Sequence, residues 1–292
     1  MKSPVFDYVR ATSPQHVFKL LERHGDDARL LAGGQTLLAT LNLRLSSPAL
    51  LIDIGGLAGL RGISVQGGML RIGALTTHVE IEESSQVAQH APLLAMAAPH
   101  IAHRAIRNLG TIGGTLAYAD PAAEWPACVL ALGGTLVLQS SRGERRLAAG
   151  DFFLGIYSTA MAADELLVAV ELPCTAQGER QTFDELARRR GDYAVAGLAA
   201  CARVDAHGDA CRLHDVRLAF LSLGDRPQRA RQAEAVLQSG PLTEARILDA
   251  DAALRAELDP FADLTHSAAA KKQLAATLMR RAIKALSAPP AA

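Results

Sequence analysis

The stretch Arg29–Leu38, RLLAGGQTLL, constrains the fold of this chain more than any other. A short apolar run stops at Gly33-Gly34, and a new apolar run starts after Gln35-Thr36. Glycine takes positive φ at little steric cost and lets another group approach the backbone closely. The flanks fit the same plan. SPQHVFKLLERHG reads as a helix with Ser13 as cap, Pro14 in the first turn and Gly25 at the end. ARLLAGG reads as a short buried strand, TLLATLNLRL as a second helix with Thr36 placed to cap it, and ALLIDI as another buried strand closed by Gly55-Gly56. A β-α-β order of this kind points to a small α/β subdomain.

Further along, LRGISVQGGMLRIGAL alternates on both sides of Gln66-Gly67-Gly68 and reads as a hairpin. Polar helical material runs from Thr77 to about Gln89, and APLLAMAAPHIAHRAIRNLG is helical with a break at Pro99. TLVLQSSRGERRLAAGDFF reads as a hairpin turning near Arg142-Gly143, and DELLVAVELP as a strand ending at Pro173. Polar CTAQGERQ reads as a linker, which gives a first domain over 1–175 and a second over 180–288. The second domain opens with strands joined at His207-Gly208-Asp209. It closes with two amphipathic helices, TEARILDADAALRAEL and HSAAAKKQLAATLMRRAIKALS, and a frayed APPAA tail.

A length of 292 residues suits two domains. Lys and Arg total 30 and so do Asp and Glu, a balance that argues against nucleic acid or an anionic membrane as partner. No apolar run is long enough to cross a bilayer, so no membrane insertion is expected. MKSPVFDYVR has no apolar signal core, so the expected location is cytoplasmic. Cys128, Cys174, Cys201 and Cys211 form no C-x-x-C pair, and His100 and His103 have no third ligand in view. The expectation is free thiols and no metal on this chain.

A second glycine pair, in NLGTIGGTLAYADP, is flanked by the hydroxyls of Thr111 and Thr115. Successive backbone N–H groups in a glycine turn can cradle an anion. Two such loops could hold the two phosphates of a dinucleotide. Neither has the G-x-G-x-x-G or G-x-x-x-x-G-K-[ST] spacing, which disfavours a Rossmann or P-loop protein.

AGGQTLLATLNLRLSSPALLIDI followed by RNLGTIGGTLAYADPAAEWPA, with GDYA at 191–194, resembles the FAD-binding medium subunit of the molybdenum hydroxylases, the xanthine dehydrogenase and carbon monoxide dehydrogenase family. The resemblance covers nearly the whole chain. It implies an α+β architecture: an N-terminal FAD domain of two α/β subdomains, of the vanillyl-alcohol-oxidase type, and a C-terminal domain with a small antiparallel sheet and helices. It also implies partners, namely a large molybdopterin-binding subunit and a small subunit with two-iron iron–sulfur clusters, assembled as a dimer of heterotrimers. FAD would pass electrons from the nearer cluster to an external acceptor. This chain would then carry no catalytic acid, base or nucleophile of its own.

Carried over position by position, Ala32, Gly33, Gly34, Gln35 and Thr36 match the first pyrophosphate loop, where the family often has His-Ser in place of Gln35-Thr36. Thr111, Ile112, Gly113, Gly114 and Thr115 match the second loop, and Thr115 departs from the family's usual Asn. Asp120 and Glu124 match an acidic segment that can accept from ribose or ribityl hydroxyls, and Tyr193 matches an aromatic that can lie against the isoalloxazine. Leu31, Leu37, Ile101 and Leu167 complete the implied contact set. Read without the resemblance, Tyr193 can instead be a half-buried core tyrosine and Glu124 a helix cap. Trp125 reads as packing, Arg107 as a cofactor-side cation or a paired surface arginine, and Arg188–Arg190 as a solvated face or a docking face. The alternative assignment is a stand-alone flavoenzyme of the same FAD fold, similar to the enolpyruvyl reductases.

Overall fold

The computed structural model describes residues 2–207 and 210–288. Its first unit is a three-stranded parallel sheet with one principal helix against it. Strand β1 (Asp7–Arg10) leads into helix α1 (Pro14–His24), strand β2 (Ala28–Leu31), the short helix α2 (Leu37–Asn42) and strand β3 (Leu50–Asp53). The strand order is β1-β3-β2. Ser13 Oγ accepts from the His16 amide and Gly25 ends α1, as the cap signals require. The helix buries Val17, Phe18 and Leu21 against Leu50 and Ile52.

The second unit is an antiparallel sheet of five strands. The expected hairpin is β4 (Ile63–Gln66) and β5 (Met69–Gly73), with Gly67 and Gly68 both at positive φ. A run of short helices follows: α3 (His78–Glu82), α4 (Ser85–His90), α5 (Pro92–Ala97), α6 (Arg104–Arg107), α7 (Ile112–Tyr118) and α8 (Glu124–Ala131). Pro99 lies in a single 3-10 turn between α5 and α6, where the helical reading had placed its break. The second hairpin is β6 (Thr135–Ser140) and β7 (Gly143–Ala148). A turn of helix, α9 (Ala149–Phe152), and the small ribbon of β8 (Phe153–Gly155) and β9 (Ser158–Thr159) lead to β10 (Leu166–Pro173). Strand β10 joins the hairpins in the order β4-β5-β10-β6-β7. Its residues Leu166–Val170 are buried without alternation because both faces are covered. Leu166 and Val168 pack toward α1 and the parallel sheet. Leu167 and Val170 pack toward Leu93, Leu116 and Trp125 on the helical side.

The third unit is an antiparallel sheet, β11-β12-β13-β14, made of β11 (Glu179–Ala187), β12 (Ala194–His207), β13 (Ala210–Leu221) and β14 (Gln228–Arg229). One face carries α10 (Arg231–Gln238), α11 (Glu244–Glu257) and α12 (Ala268–Ser287) over a core of Leu198, Leu218, Phe220, Leu254 and Met279. The other face meets α8, and Ala199, Cys201 and Leu221 join the core of the second unit. Strand β11 begins inside the segment read as linker. Gln181 there sits 9% exposed and its Oε1 accepts from the Leu93 amide at 2.8 Å, so that polar stretch is a sheet edge bonded to α5. Gly208 and Asp209 of the expected turn, and residues 289–292 of the expected tail, lie outside the described residues. Among the described residues no helix is long and apolar enough to cross a membrane.

Candidate cofactor-binding site

The first glycine loop links the end of β2 at Leu31 to the start of α2 at Leu37. Gly34 has φ 70°, a left-handed conformation that favours glycine. Gln35 Nε2 donates to the Gly33 carbonyl at 2.9 Å and tightens the turn. The amides from Gly33 to Leu37 donate to no acceptor among the described residues. Such a row of unclaimed, half-buried N–H groups is suited to an anion. Thr36 does not cap α2 as expected. Its backbone is already helical (φ −102°, ψ −49°), so its hydroxyl makes no capping bond.

The second loop is built differently. Thr111 does cap α7, its Oγ1 accepting from the Gly114 amide at 3.1 Å. The Ile112 amide donates to Thr76, that of Gly113 to Ala74 and that of Thr115 to Thr111, at 3.0, 2.9 and 3.1 Å. These amides are therefore spent on the protein itself, and the loop's remaining donor capacity is in its hydroxyls. A Cβ on Gly113 would fall 2.4 Å from the Ala74 Cβ, so this glycine serves packing against the end of β5. The two loops touch. A Cβ on Gly33 would fall 2.0 Å from the Leu109 carbonyl oxygen, and one on Gly114 would lie 3.9 Å from the Ala32 Cβ.

A second group of expected residues gathers at the far end of α7. Seven residues at 1.5 Å each put that end about 10 Å from Thr111. Ala119 there turns left-handed, with φ 53°. Asp120 Oδ1 accepts from the Ala122 amide at 2.9 Å. The rings of Tyr118 and Tyr157 stand 4.9 Å apart, and Tyr157 N–H donates to the Ala119 carbonyl at 3.2 Å. Tyr193 lies just before β12 and is 66% exposed, not a core residue. Loss of hydration raises the phenols of Tyr118, Tyr157 and Tyr193, and the Asp120 carboxylate adds to each shift. Three tyrosines thus feel the charge of one acid.

Glu124 opens α8 and is buried. Burial, and then the neighbouring charge of Glu185, push its carboxyl up to about 8. Glu185, on β11, has its side chain 5% exposed, with Oε1 3.3 Å from His100 Nδ1 and Oε2 buried without a partner. Tyr157, Glu185 and His78 were missed as site neighbours. Tyr157 has a detectable peculiarity, a positive φ in a non-glycine residue, but that is a backbone fact invisible in the string.

The remaining expected residues are dispersed. Ile101 and Leu167 are 8% and 3% exposed within the packed core, while Leu31 and Leu37 are half-buried beside the first loop. Arg107 is buried. It donates to Glu82 at 2.8 Å and to the carbonyls of Ile101 and Ala102 at 3.0 and 3.2 Å. Arg188–Arg190 are exposed. Trp125 is fully buried, as a packing residue should be, and its indole N–H also donates to His78 Nδ1. Cys128 and Cys201 are buried free thiols, and among the described residues no three His, Cys, Asp or Glu side chains group as for a metal.

Unclaimed amides and threonine hydroxyls at one end, and aromatic and acidic side chains about one short helix away, suit a dinucleotide with a flavin. Residues 4–175 match the family described as the FAD binding domain in molybdopterin dehydrogenase, and residues 181–286 match the CO dehydrogenase flavoprotein C-terminal domain. The chain belongs to this family: it is an FAD-binding medium subunit of the molybdenum hydroxylases, and FAD is its cofactor. Similar proteins include the alpha subunit of the 6-hydroxypseudooxynicotine dehydrogenase complex and the medium subunit of nicotine 6-hydroxylase, both from Paenarthrobacter nicotinovorans. Each is 40% identical over 283 residues, covering 97% of this chain and 95% or 98% of the relative. The solved carbon monoxide dehydrogenase from Hydrogenophaga pseudoflava contains a chain that superposes with a TM-score of 0.94 at 36% identity, with 98% of both chains covered.

Proposed function

We propose that the amides of Gly33 to Leu37 and the hydroxyls of Thr36 and Thr115 hold the FAD pyrophosphate where the two glycine loops meet. Ala32, Gln35 and Leu37 shape the first loop, and Thr111, Ile112, Gly113 and Gly114 set the second against it. Asp120, Glu124 and Tyr193 face the ribityl and isoalloxazine half, with Tyr118 and Tyr157 completing the aromatic wall. The observation that carries this reading is the row of unclaimed amides in the first loop, directly against the second.

FAD accepts electrons that arrive singly and releases them in pairs, which is the chemistry this subunit would contribute. The chain's own tasks are to bind, orient and shield. No acid, base or nucleophile on it is required by that role. The electrons would come from two-iron clusters on a small partner subunit, and oxygen insertion would take place on a large molybdopterin-binding partner, in a dimer of heterotrimers. The nicotine-directed names of the relatives at 40% identity favour a small N-heteroaromatic substrate for the complex.

The test is a gentle affinity purification from the native host, with Mo, Fe and flavin quantified. The expected result is Mo and Fe arriving with one larger and one smaller chain. Flavin on a chain that is active alone would overturn this reading.

A further inference from the structure

One buried side chain beneath the second loop joins three segments of the chain. His78, the first residue of α3, is 3% exposed. Its backbone N–H donates to the Gly110 carbonyl at 2.9 Å. Its ring lies so close to Gly110 that a Cβ there would fall 2.7 Å from Nε2. On the ring's Nδ1 side, Trp125 Nε1–H donates at 2.9 Å. On the Nε2 side stands Thr115 Oγ1, at 3.5 Å.

These contacts fix the tautomer. An indole N–H can only donate, so Nδ1 must be bare and accepting. A neutral imidazole then carries its proton on Nε2, which points that proton at a lone pair of Thr115 Oγ1. Burial, reinforced by the Arg107 charge, keeps the ring neutral by lowering its pKa to about 4. Thr115 in turn must send its own hydrogen elsewhere. No hydrogen bond from Thr115 Oγ1 to a carbonyl exists among the described residues. The loop's amides are occupied, so this hydroxyl is a donor the loop has left to give.

We propose that His78, as the Nε2–H tautomer, is a positioning residue for flavin nucleotide binding that makes Thr115 a one-way hydroxyl donor toward an acceptor oxygen of FAD. The proposal rests on the assignment of the second loop to FAD. It extends that assignment to a buried residue outside both glycine loops.

The first readout is independent of loaded enzyme: nitrogen NMR of the flavin-free full-length chain labelled at histidine. His78 is expected with a bare Nδ1 and a protonated Nε2, and the opposite tautomer would overturn the proposal. The second is FAD titration of flavin-free variants whose circular dichroism matches the unmodified chain. Thr115→Val should weaken binding about tenfold or more, as for a lost hydrogen bond to a charged group. His78→Gln keeps a side-chain N–H at the reach of Nε2 and should stay within a few-fold of the unmodified chain. His78→Asn keeps an acceptor for Trp125 but loses that donor. It should lose about as much as Thr115→Val, with no further loss in the double variant. Equal losses for Gln and Asn, or losses that add in the double variant, would show that His78 only packs. Full FAD affinity in both Thr115→Val and Gly114→Val would instead remove the loop assignment itself, and the proposal with it.

Discussion

The carbonyl oxygen of Leu109 occupies the space that a side chain on Gly33 would need: a Cβ there would lie 2.0 Å from it. This glycine is required by the meeting of two loops distant in sequence, before any ligand is considered. Gly33→Ala must push the loops apart. It is expected to lose FAD and to lower the thermal midpoint together. At Gly114 the nearest atom to a new Cβ is Thr111 Oγ1, at 2.9 Å, a side chain that can turn aside. Gly114→Ala should weaken FAD binding while costing only about 1 kcal/mol, the worth of a lost helix cap. Flavin stoichiometry measured beside thermal melting checks both, and equal stability losses in the two variants would contradict the difference in packing.

Tyr193 is 66% exposed, so its removal opens no cavity. Tyr193→Ala is expected to change stability by no more than about 0.5 kcal/mol, as for other surface positions. The same change should shift the absorbance of bound flavin and its rate of reduction, with Tyr193→Phe restoring most of both. Spectra of the reconstituted variants decide it. A shift in melting temperature with unchanged spectra would return Tyr193 to an ordinary packing role.

Arg107 holds a turn by charge and geometry together. Its guanidinium pairs with Glu82 and caps the carbonyls of Ile101 and Ala102, beside the left-handed Ala102 with φ 42°. Arg107→Ala would leave two carbonyls without their donor and Glu82 with only the more distant Arg104, at 3.8 Å. The expected cost is about 3 kcal/mol, read from urea denaturation. Arg107→Lys lacks the planar fork and should recover less than half of it. Full recovery with Lys would mean that only the charge matters.

The plan of the fold was legible because it is written in local signals. Ser13, Pro14 and Gly25 bound α1, Gly67-Gly68 turn the first hairpin, and the unbroken apolar run Leu166–Val170 marks a strand covered on both faces. The glycine loops were legible as candidates for the same reason. Their division of labour was not. Whether an amide is free depends on partners such as Thr76 and Ala74, which pairing across the fold supplies. Thr36 failed as a cap because its backbone entered the helix early, a choice set by the loop geometry and not by its side chain. β11 was hidden because Glu179–Ala187 is polar on an edge strand, and with it went Glu185. His78 was hidden because a histidine in a short polar helix has no periodic signature, and only the approach of Trp125 and Gly110 shows what it does.

Glu124 gives the chain a pH dependence whose sign can be worked out. Its carboxyl is pushed from the ordinary 4.5 up to about 8 by burial and by Glu185. The folded state therefore holds a proton that the unfolded chain has already released in that window. Protons bound on folding mean that stability falls as pH rises, by at most about 1.4 kcal/mol per pH unit for one group. The contribution is fully present below about pH 4.5 and is lost as pH passes through about 8. Glu124→Gln keeps the shape without the titration. It is expected to flatten the alkaline limb and to be more stable than the unmodified chain at the alkaline end. Urea denaturation of the flavin-free chain across that window measures the slope. An unchanged slope in Glu124→Gln would place the titration in another group.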